Sequence, residues 1–179
     1  MKRFPFAAAA FAVVSFSAST ASAQAVRPIT IGVSAGAAIP VGDLADVFKT
    51  GYNGTVSLGF VPIGSPIGFR VDGMYNKLGS KDEFDFPDLK IISGNANLVY
   101  SLPGTGISPY LIGGAGVYNF KADGSGSYSD SETDFGLNGG IGAAFPLSGF
   151  SAFVEARYHH VFTEGSATQF IPVTFGLRF

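Results

Sequence analysis

Large apolar residues recur at every second position along most of this chain, and helical periodicity is nearly absent. The segment from Gln169 to Phe179 shows the pattern, because large apolar side chains there alternate with mostly polar or small ones. The apolar set of this segment is Ile171, Val173, Phe175, Leu177 and Phe179. Seven further runs have the same period. Since a period of two places alternate side chains on one face of a strand, the pattern predicts eight strands.

Long and tight connections alternate between the predicted strands. Long connections lie at 41–51, 78–89 and 122–134, with a shorter member of the same group at 163–167. Tight connections rich in turn residues lie at 63–65, 102–106 and 146–149. This alternation is typical of an antiparallel up-and-down barrel with its long loops at one end. Both termini then lie at the end with the tight turns.

The polar face of the strands favours a membrane barrel over a soluble barrel of the lipocalin kind, whose apolar face would lie inside. The mid-strand charges Arg70, Asp72, Glu155 and Arg157 all lie on the polar face, where glycine is also frequent. Glycine leaves room for long side chains in a narrow lumen, and Lys or Arg facing lipid at mid-depth costs about 2–4 kcal/mol. We therefore predict an all-β, eight-stranded antiparallel up-and-down transmembrane β-barrel.

The fifth run, PYLIGGAGVYNF, is ambiguous because apolar or small residues occupy both of its phases. We assign Tyr110, Ile112, Tyr118 and Phe120 to the lipid-facing side. This phase places aromatic side chains at both ends of the strand, as in the aromatic girdles of membrane barrels.

The first residues have the order of a cleavable secretory signal peptide. Two basic residues precede an apolar stretch, and small residues lead to the motif Ala21-x-Ala23. We expect cleavage after Ala23, so that residues 1–23 are the signal peptide and residues 24–179 are the barrel domain. The alternative, an anchor helix, is disfavoured because the apolar stretch is too short to span a bilayer well.

Composition and charge exclude several classes of function. The chain has no Cys, which excludes disulfides, thiolate metal sites and thiol catalysis. Its net charge of −2 provides no electrostatic footprint for nucleic acid. The glycine-rich IGGAGVY is followed by more strand and not by a helix, so it does not predict a nucleotide-binding loop. We expect no cofactor and no metal centre.

Four segments together resemble the small outer-membrane β-barrel domain proteins, the OmpA/OmpX-type and opacity-like group. They are SAGAAIPVGDL, PYLIGGAGVYNF, FVEARYHHVF and QFIPVTFGLRF. The resemblance implies an outer-membrane location in a Gram-negative cell and contact with outer-membrane lipid and lipopolysaccharide. It also implies that Phe175, Leu177 and Phe179 resemble the signal read by the outer-membrane assembly machinery. Phe179 is also expected to be a girdle residue at the barrel rim.

The pair His159-His160 suggests a hydrolase, because EARYHHVF faintly resembles a strand of outer-membrane lipid A deacylases. Such a site needs the His beside a nucleophile and an orienting acid. The family pattern has Ser shortly after the His, whereas Val161 follows here and the nearest serine, Ser166, lies in a loop. We therefore expect His160 to be an interfacial residue on the lipid face, and we assign no catalytic residues.

Two acidic connections and one helical segment complete the candidate features. Residues 81–88 and 123–134 are acidic, but Phe135 occupies the position at which an EF-hand loop needs Gly. A weak divalent-cation site stays open as an alternative to solvated loops. The segment VGDLADVFKTG predicts a short helix capped by Asp43 over the barrel mouth, with Leu44, Val47 and Phe48 on one side.

The inward charges are expected to form a network across the lumen. Arg70 and Asp72 lie on the third strand, Glu155 and Arg157 on the seventh, and Arg178 on the eighth. We expect Arg70 to pair with Glu155 and Asp72 with Arg157, and only loose pairing within one strand. Separate solvation of each charge by lumen water is the alternative.

Three hypotheses for function follow. The first is a monomeric, non-enzymatic barrel with a filled lumen, whose long loops contact an extracellular or host ligand. The second is a narrow solute or ion pore, which eight strands disfavour because side chains fill so narrow a barrel. The third is a lipid-modifying hydrolase, which the missing serine disfavours.

Overall fold

The computed structural model describes residues 28–81, 87–104, 106–122, 132–163 and 165–179. The predicted signal peptide lies outside these residues, and so do residues 82–86 and 123–131 of the two acidic connections. Within the described part of the chain, no helix is long and apolar enough to cross a membrane.

Eight antiparallel strands form a closed barrel in which each strand pairs with its neighbours in the chain. The strands are β1 (Ile29–Val41), β2 (Gly51–Phe60), β3 (Ile67–Leu78), β4 (Leu89–Ser101), β5 (Ser108–Ala122), β6 (Glu132–Pro146), β7 (Ser151–Thr163) and β8 (Ser166–Arg178). A short helix, α1 (Asp43–Val47), follows β1. The predicted eight-stranded up-and-down topology is confirmed.

Closure of the barrel depends on the pairing of β8 with β1. Their register runs from Gly32 opposite Arg178 to Val41 opposite Gln169. Beyond it, the Phe179 N–H donates to the Ile31 carbonyl at 2.8 Å, and the Ile31 N–H donates to the Phe179 carbonyl at 3.0 Å. The sheet therefore has no unpaired edge strand.

The two ends of the barrel differ in their connections. One end, called here the turn end, has tight turns after β2, β4 and β6, each with a glycine of positive φ (Gly64, Gly106 and Gly149). The opposite end, the loop end, has α1 and the connections after β3 and β5. The β7–β8 connection at this end is a two-residue hairpin, because Thr163 pairs with Ser166. It is tighter than the loop expected there.

Seven strands have the predicted phase, with the predicted apolar side chains on the outer wall. Typical outward residues are Val56, Val71, Ile141 and Phe175, which are between 56% and 63% exposed. The inner wall carries the alternate residues, including Asn53, Thr55, Asn95 and Asn97, all of them buried.

The phase assigned to β5 is wrong. Tyr110, Ile112 and Tyr118 are buried in the interior, at no more than 4% exposure, while Leu111 and Val117 face outward. Phe120 is half-buried and packs against the interior. The hydroxyl of each tyrosine donates a hydrogen bond to an interior side chain. Because the apolar alternation in β5 is weak, these hydrogen bonds determine which face of the strand points inward.

Two apolar clusters lie inside the barrel, one toward each end. The loop-end cluster consists of Ala38, Met74, Leu78, Ile91, Tyr118, Val161 and Phe170. The turn-end cluster consists of Val99, Tyr110, Ile112, Ala144 and Phe153. These side chains share the phase of the polar residues, so the outward apolar pattern does not predict them.

The helix α1 lies against the loop-end cluster. Leu44 and Phe48 pack onto that cluster, which agrees with the common face predicted for them. The prediction that Asp43 caps the helix is wrong, because Asp43 is the first residue of the helix itself. Gly42 is the N-cap residue, with a φ of 59°, and no side chain caps the helix.

Candidate functional site

A ring of four charges crosses the interior between the two apolar clusters. Arg70 and Asp72 come from β3, and Glu155 and Arg157 come from β7. These strands are four places apart in a ring of eight, so they face each other across the lumen. Alternation directs all four side chains inward, and in so narrow a barrel long side chains meet at its centre.

The contacts across the lumen are short and charge-assisted. Arg70 Nη1 and Nη2 donate to Glu155 Oε2 and Oε1, both at 2.8 Å, in a bidentate arrangement. Arg157 Nη1 donates to Asp72 Oδ2 at 2.6 Å. The structure therefore brings together both pairs that were expected from the strand phases.

Neighbours on the same strand are also paired, and more closely than expected. Arg70 Nε lies 2.9 Å from Asp72 Oδ1, and Arg157 Nε lies 2.9 Å from Glu155 Oε1. Each charge thus contacts two opposite charges, and the four form a closed ring with no net charge. All four side chains are at most 5% exposed, so their mutual pairing offsets the cost of removing them from water.

Neutral side chains complete the shell of the ring. The Tyr110 hydroxyl donates to Glu155 Oε2 at 2.7 Å. The Asn97 amide donates to Asp72 Oδ2 at 2.9 Å. Hydrogen bonds to an ionised acceptor are stronger than those between neutral groups, so these two residues hold both carboxylates in place.

Arg178 points into the interior but contacts aromatic rings instead of the ring of charges. Its guanidinium carbon lies 5.7 Å from the centroid of Tyr110 and 5.2 Å from that of Phe153. Both distances suit a cation–π contact. Arg178 is the last residue of β8, and its side chain extends toward the turn-end cluster.

Inward glycines make room for the large interior side chains. A Cβ on Gly142 would overlap the Tyr110 ring, and one on Gly136 would lie 2.8 Å from Tyr118 Cε2. A Cβ on Gly140 would lie 2.7 Å from Arg157 Cγ. These glycines on β6 are the sequence signal that could have assigned both tyrosines of β5 to the interior.

A second polar cluster surrounds His159, which lies on the inward face of β7 with Glu155 and Arg157. The Tyr118 hydroxyl donates to Asn95 Oδ1 at 2.7 Å and lies 2.8 Å from His159 Nδ1. The His159 ring stacks on Phe170 with centroids 4.8 Å apart. His159 is fully buried, so its role is interior packing and hydrogen bonding.

His160 faces outward, as its phase predicts. Its Nδ1 lies 3.4 Å from the amide nitrogen of Gln169 on β8, and its ring meets Phe162 edge-on at 4.9 Å. Val161 faces the interior between His160 and Phe162. Ser166, which was expected in a loop, is instead the first residue of β8 and pairs with Thr163. The expectation that His160 is a residue of the outer wall agrees with this placement.

The three residues of the expected assembly signal share the outer wall of β8. Phe175 and Phe179 are 58% and 52% exposed, and Leu177 is half-buried between them. Phe179 stacks on Phe150 of the β6–β7 turn, with centroids 5.9 Å apart. This placement at the turn end agrees with a girdle position for Phe179.

Comparison with known proteins identifies the family. The sequence model of the family described as outer membrane protein beta-barrel domain matches residues 6–179 of this chain. A comparison with curated protein sequences gives no match.

Several solved structures share the fold. Neisserial surface protein A has a TM-score of 0.68 and 18% identity, over 87% of this chain and 98% of that one. The outer membrane enzyme PagL has a TM-score of 0.53 and 20% identity, over 84% and 98%. The N-terminal barrel domain of OprF from Pseudomonas aeruginosa has a TM-score of 0.52 and 13% identity, over 84% and 97%. The predicted resemblance is confirmed: this chain belongs to the outer membrane protein β-barrel domain family and is an outer-membrane protein.

Proposed function

We propose that this protein is a monomeric, non-conducting scaffold of the outer membrane, with a filled lumen and a loop end that faces the cell exterior. The observation that carries the proposal is the occupation of the interior at three successive levels. The loop-end cluster, the ring of charges and the turn-end cluster follow one another along the barrel axis. Side chains of an eight-stranded barrel are long enough to meet at its axis.

The ring of charges also disfavours passage of an ion. Its four groups are mutually neutralised, so a permeating ion would have to separate buried pairs before it could be solvated. Breaking a buried ion pair by removing one partner costs about 3–5 kcal/mol. The interior therefore supports a structural role better than a transport role.

Because side chains fill the interior, we assign interaction with molecules outside the cell to the loop end. In outer-membrane barrels the longer connections face the outside and the tight turns face the periplasm. The two acidic connections leave β3 and β5 at this end, where α1 packs against the interior. A ligand outside the cell would meet these connections first, which is why we assign the interaction role to them.

Single-channel recording in planar bilayers tests the proposal. The folded barrel, identified by its heat-dependent shift on gels, should give no steady current steps, and a large porin added afterwards should show that the membrane reports channels. Reproducible steps from the folded form, absent from the heat-unfolded form, would replace the scaffold proposal with the narrow-pore alternative.

A further inference from the structure

His159 is a fully buried histidine whose two ring nitrogens have different surroundings. Phe170 of β8 stacks on its ring, and Tyr118 of β5 meets the ring edge-on. Nδ1 lies 2.8 Å from the Tyr118 hydroxyl oxygen. Among the residues that the structure describes, Nε2 has no hydrogen-bond partner. Buried polar atoms in proteins are normally hydrogen-bonded, so a partner for Nε2 is expected.

The hydrogen bonds around Tyr118 determine which ring nitrogen of His159 carries a hydrogen. A tyrosine hydroxyl has one hydrogen, and Tyr118 donates it to Asn95 Oδ1 at 2.7 Å. The hydroxyl oxygen therefore accepts a hydrogen bond from His159, which requires that Nδ1 carries the hydrogen. In this tautomer of the imidazole, Nε2 has a free lone pair and is an acceptor.

Asn138 of β6 lies directly opposite His159 and provides a second acceptor. Its side chain points inward and is only 7% exposed. Its Oδ1 has no hydrogen-bond donor either, again counting only the described residues. The inward residues on either side of it are Gly136 and Gly140, so no other side chain of β6 reaches this level. Cross-strand neighbours have Cβ atoms about 4.5–5.5 Å apart, so one small molecule can contact both acceptors.

The groups around His159 and Asn138 select the class of molecule that fits between them. Two acceptors require a molecule with two donor hydrogens. Arg157, the next inward residue of β7, is a buried cation, so it opposes a second cation at this place. The two lone pairs oppose an anion. Water is neutral, has two hydrogens, and commonly binds buried polar groups that lack a protein partner.

We propose that His159 and Asn138 bind one long-lived water molecule inside the barrel, which donates one hydrogen to Nε2 and the other to Asn138 Oδ1. The site lies between Arg157 of the ring of charges and Val161 of the loop-end cluster. The water completes a series of hydrogen-bonded side chains from four adjacent strands, namely Ser93, Asn95, Tyr118, His159 and Asn138. Hydrogen bonds in such a series polarise and strengthen one another.

NMR spectroscopy of the folded full chain in detergent tests the site, because the sequence has only two histidines. When histidine alone is isotope-labelled, His160→Gln leaves a single set of ring signals, that of His159. Nδ1 should carry a hydrogen and Nε2 should not. The carbon-bound ring hydrogens of His159 should show a nuclear Overhauser effect to water, with the sign of a water molecule that tumbles with the protein.

Asn138→Leu replaces the amide by an apolar group of similar volume and should remove the bound water. The Overhauser effect between His159 and water should disappear. The Nε2 resonance should move to higher frequency, because the nitrogen loses its hydrogen bond. Asn119→Leu is the matched control, since Asn119 lies on the outer wall of β5, in the phase of Val117. This control should leave both signals of His159 unchanged.

Three results would overturn the proposal. They are a hydrogen on Nε2 in place of Nδ1, the lack of an Overhauser effect between His159 and water when Asn138 is present, and an unchanged effect in Asn138→Leu. The first two results need no change at Asn138. They therefore decide the question even if Asn138→Leu does not show the heat-dependent shift of a folded barrel.

Discussion

At the scale of single residues, the position of each glycine decides whether a side chain can be added. Gly142 and Gly139 lie on the same strand but on opposite faces, since a Cβ on Gly142 would overlap Tyr110 and the nearest atom to a Cβ on Gly139 is 3.9 Å away. Inward glycines thus have a packing role that outward glycines lack. The same alternation that separates polar from apolar residues also separates these two kinds of glycine.

This difference gives a prediction with its own control. Gly142→Ala should lower the free energy of unfolding by about 1–3 kcal/mol, because an added methyl forces the Tyr110 ring to move. Gly139→Ala should leave stability unchanged or raise it slightly, since glycine weakens a strand interior. Urea unfolding of both variants in detergent, followed by the heat-dependent gel shift, measures the effect. Equal behaviour of the two variants would contradict the assigned faces.

The hydroxyl of Tyr110 tests the corrected phase of β5. Tyr110→Phe should destabilise the barrel by about 1.5–3 kcal/mol, because Glu155 loses a hydrogen bond to an ionised acceptor in the interior. Tyr100→Phe is the matched control, since Tyr100 faces outward and is 43% exposed. Its effect should be within about 0.5 kcal/mol. If Tyr110→Phe lowers the free energy of unfolding no more than Tyr100→Phe does, the inward phase of Tyr110 is wrong.

At the scale of elements, the period of two was sufficient to predict all eight strands and their order. It was insufficient for β5, where glycines and apolar residues occupy both phases. There the hydrogen-bond partners of Tyr110 and Tyr118 and the inward glycines of β6 decide the phase. The close ion pairs within β3 and within β7 depend on side-chain conformations that strand spacing does not determine. The length of the β7–β8 hairpin depends on register, which Gly165, with a φ of 80°, fixes by allowing a two-residue turn.

The outer wall of β8 gives a prediction about assembly. Phe179→Ala should strongly reduce the yield of folded barrel in an outer-membrane-bearing host. The reduction should be larger than the loss of one buried apolar side chain, worth about 1.5–3 kcal/mol, would cause. The backbone pair between Phe179 and Ile31 is retained in this variant, so barrel closure is not the cause. Phe69→Ala removes an equally exposed outward aromatic from β3 and serves as the control. Equal yields of the heat-shifting form from both variants would contradict an assembly signal at Phe179.

At the scale of the whole molecule, the ring of charges connects the two halves of the barrel. Backbone hydrogen bonds join only neighbouring strands, whereas the ring joins β3 to β7 directly across the lumen. It also lies between the loop-end cluster and the turn-end cluster. A net-neutral layer between them keeps all four buried charges paired, which is the condition for their stable burial.

The double-mutant cycle of Arg70 and Glu155, measured by urea unfolding of folded barrels, tests this central claim most directly. Arg70→Gln and Glu155→Gln should each cost about 3–5 kcal/mol, because each leaves a buried charge without its partner. The double variant should cost less than their sum, with a coupling of at least about 1 kcal/mol. The partly exposed pair Lys77 and Asp88, whose side chains are 24% and 40% exposed, provides the control cycle, with a coupling below about 1 kcal/mol. Additive effects for Arg70 and Glu155 would mean that lumen water solvates each charge separately and that no ring crosses the barrel.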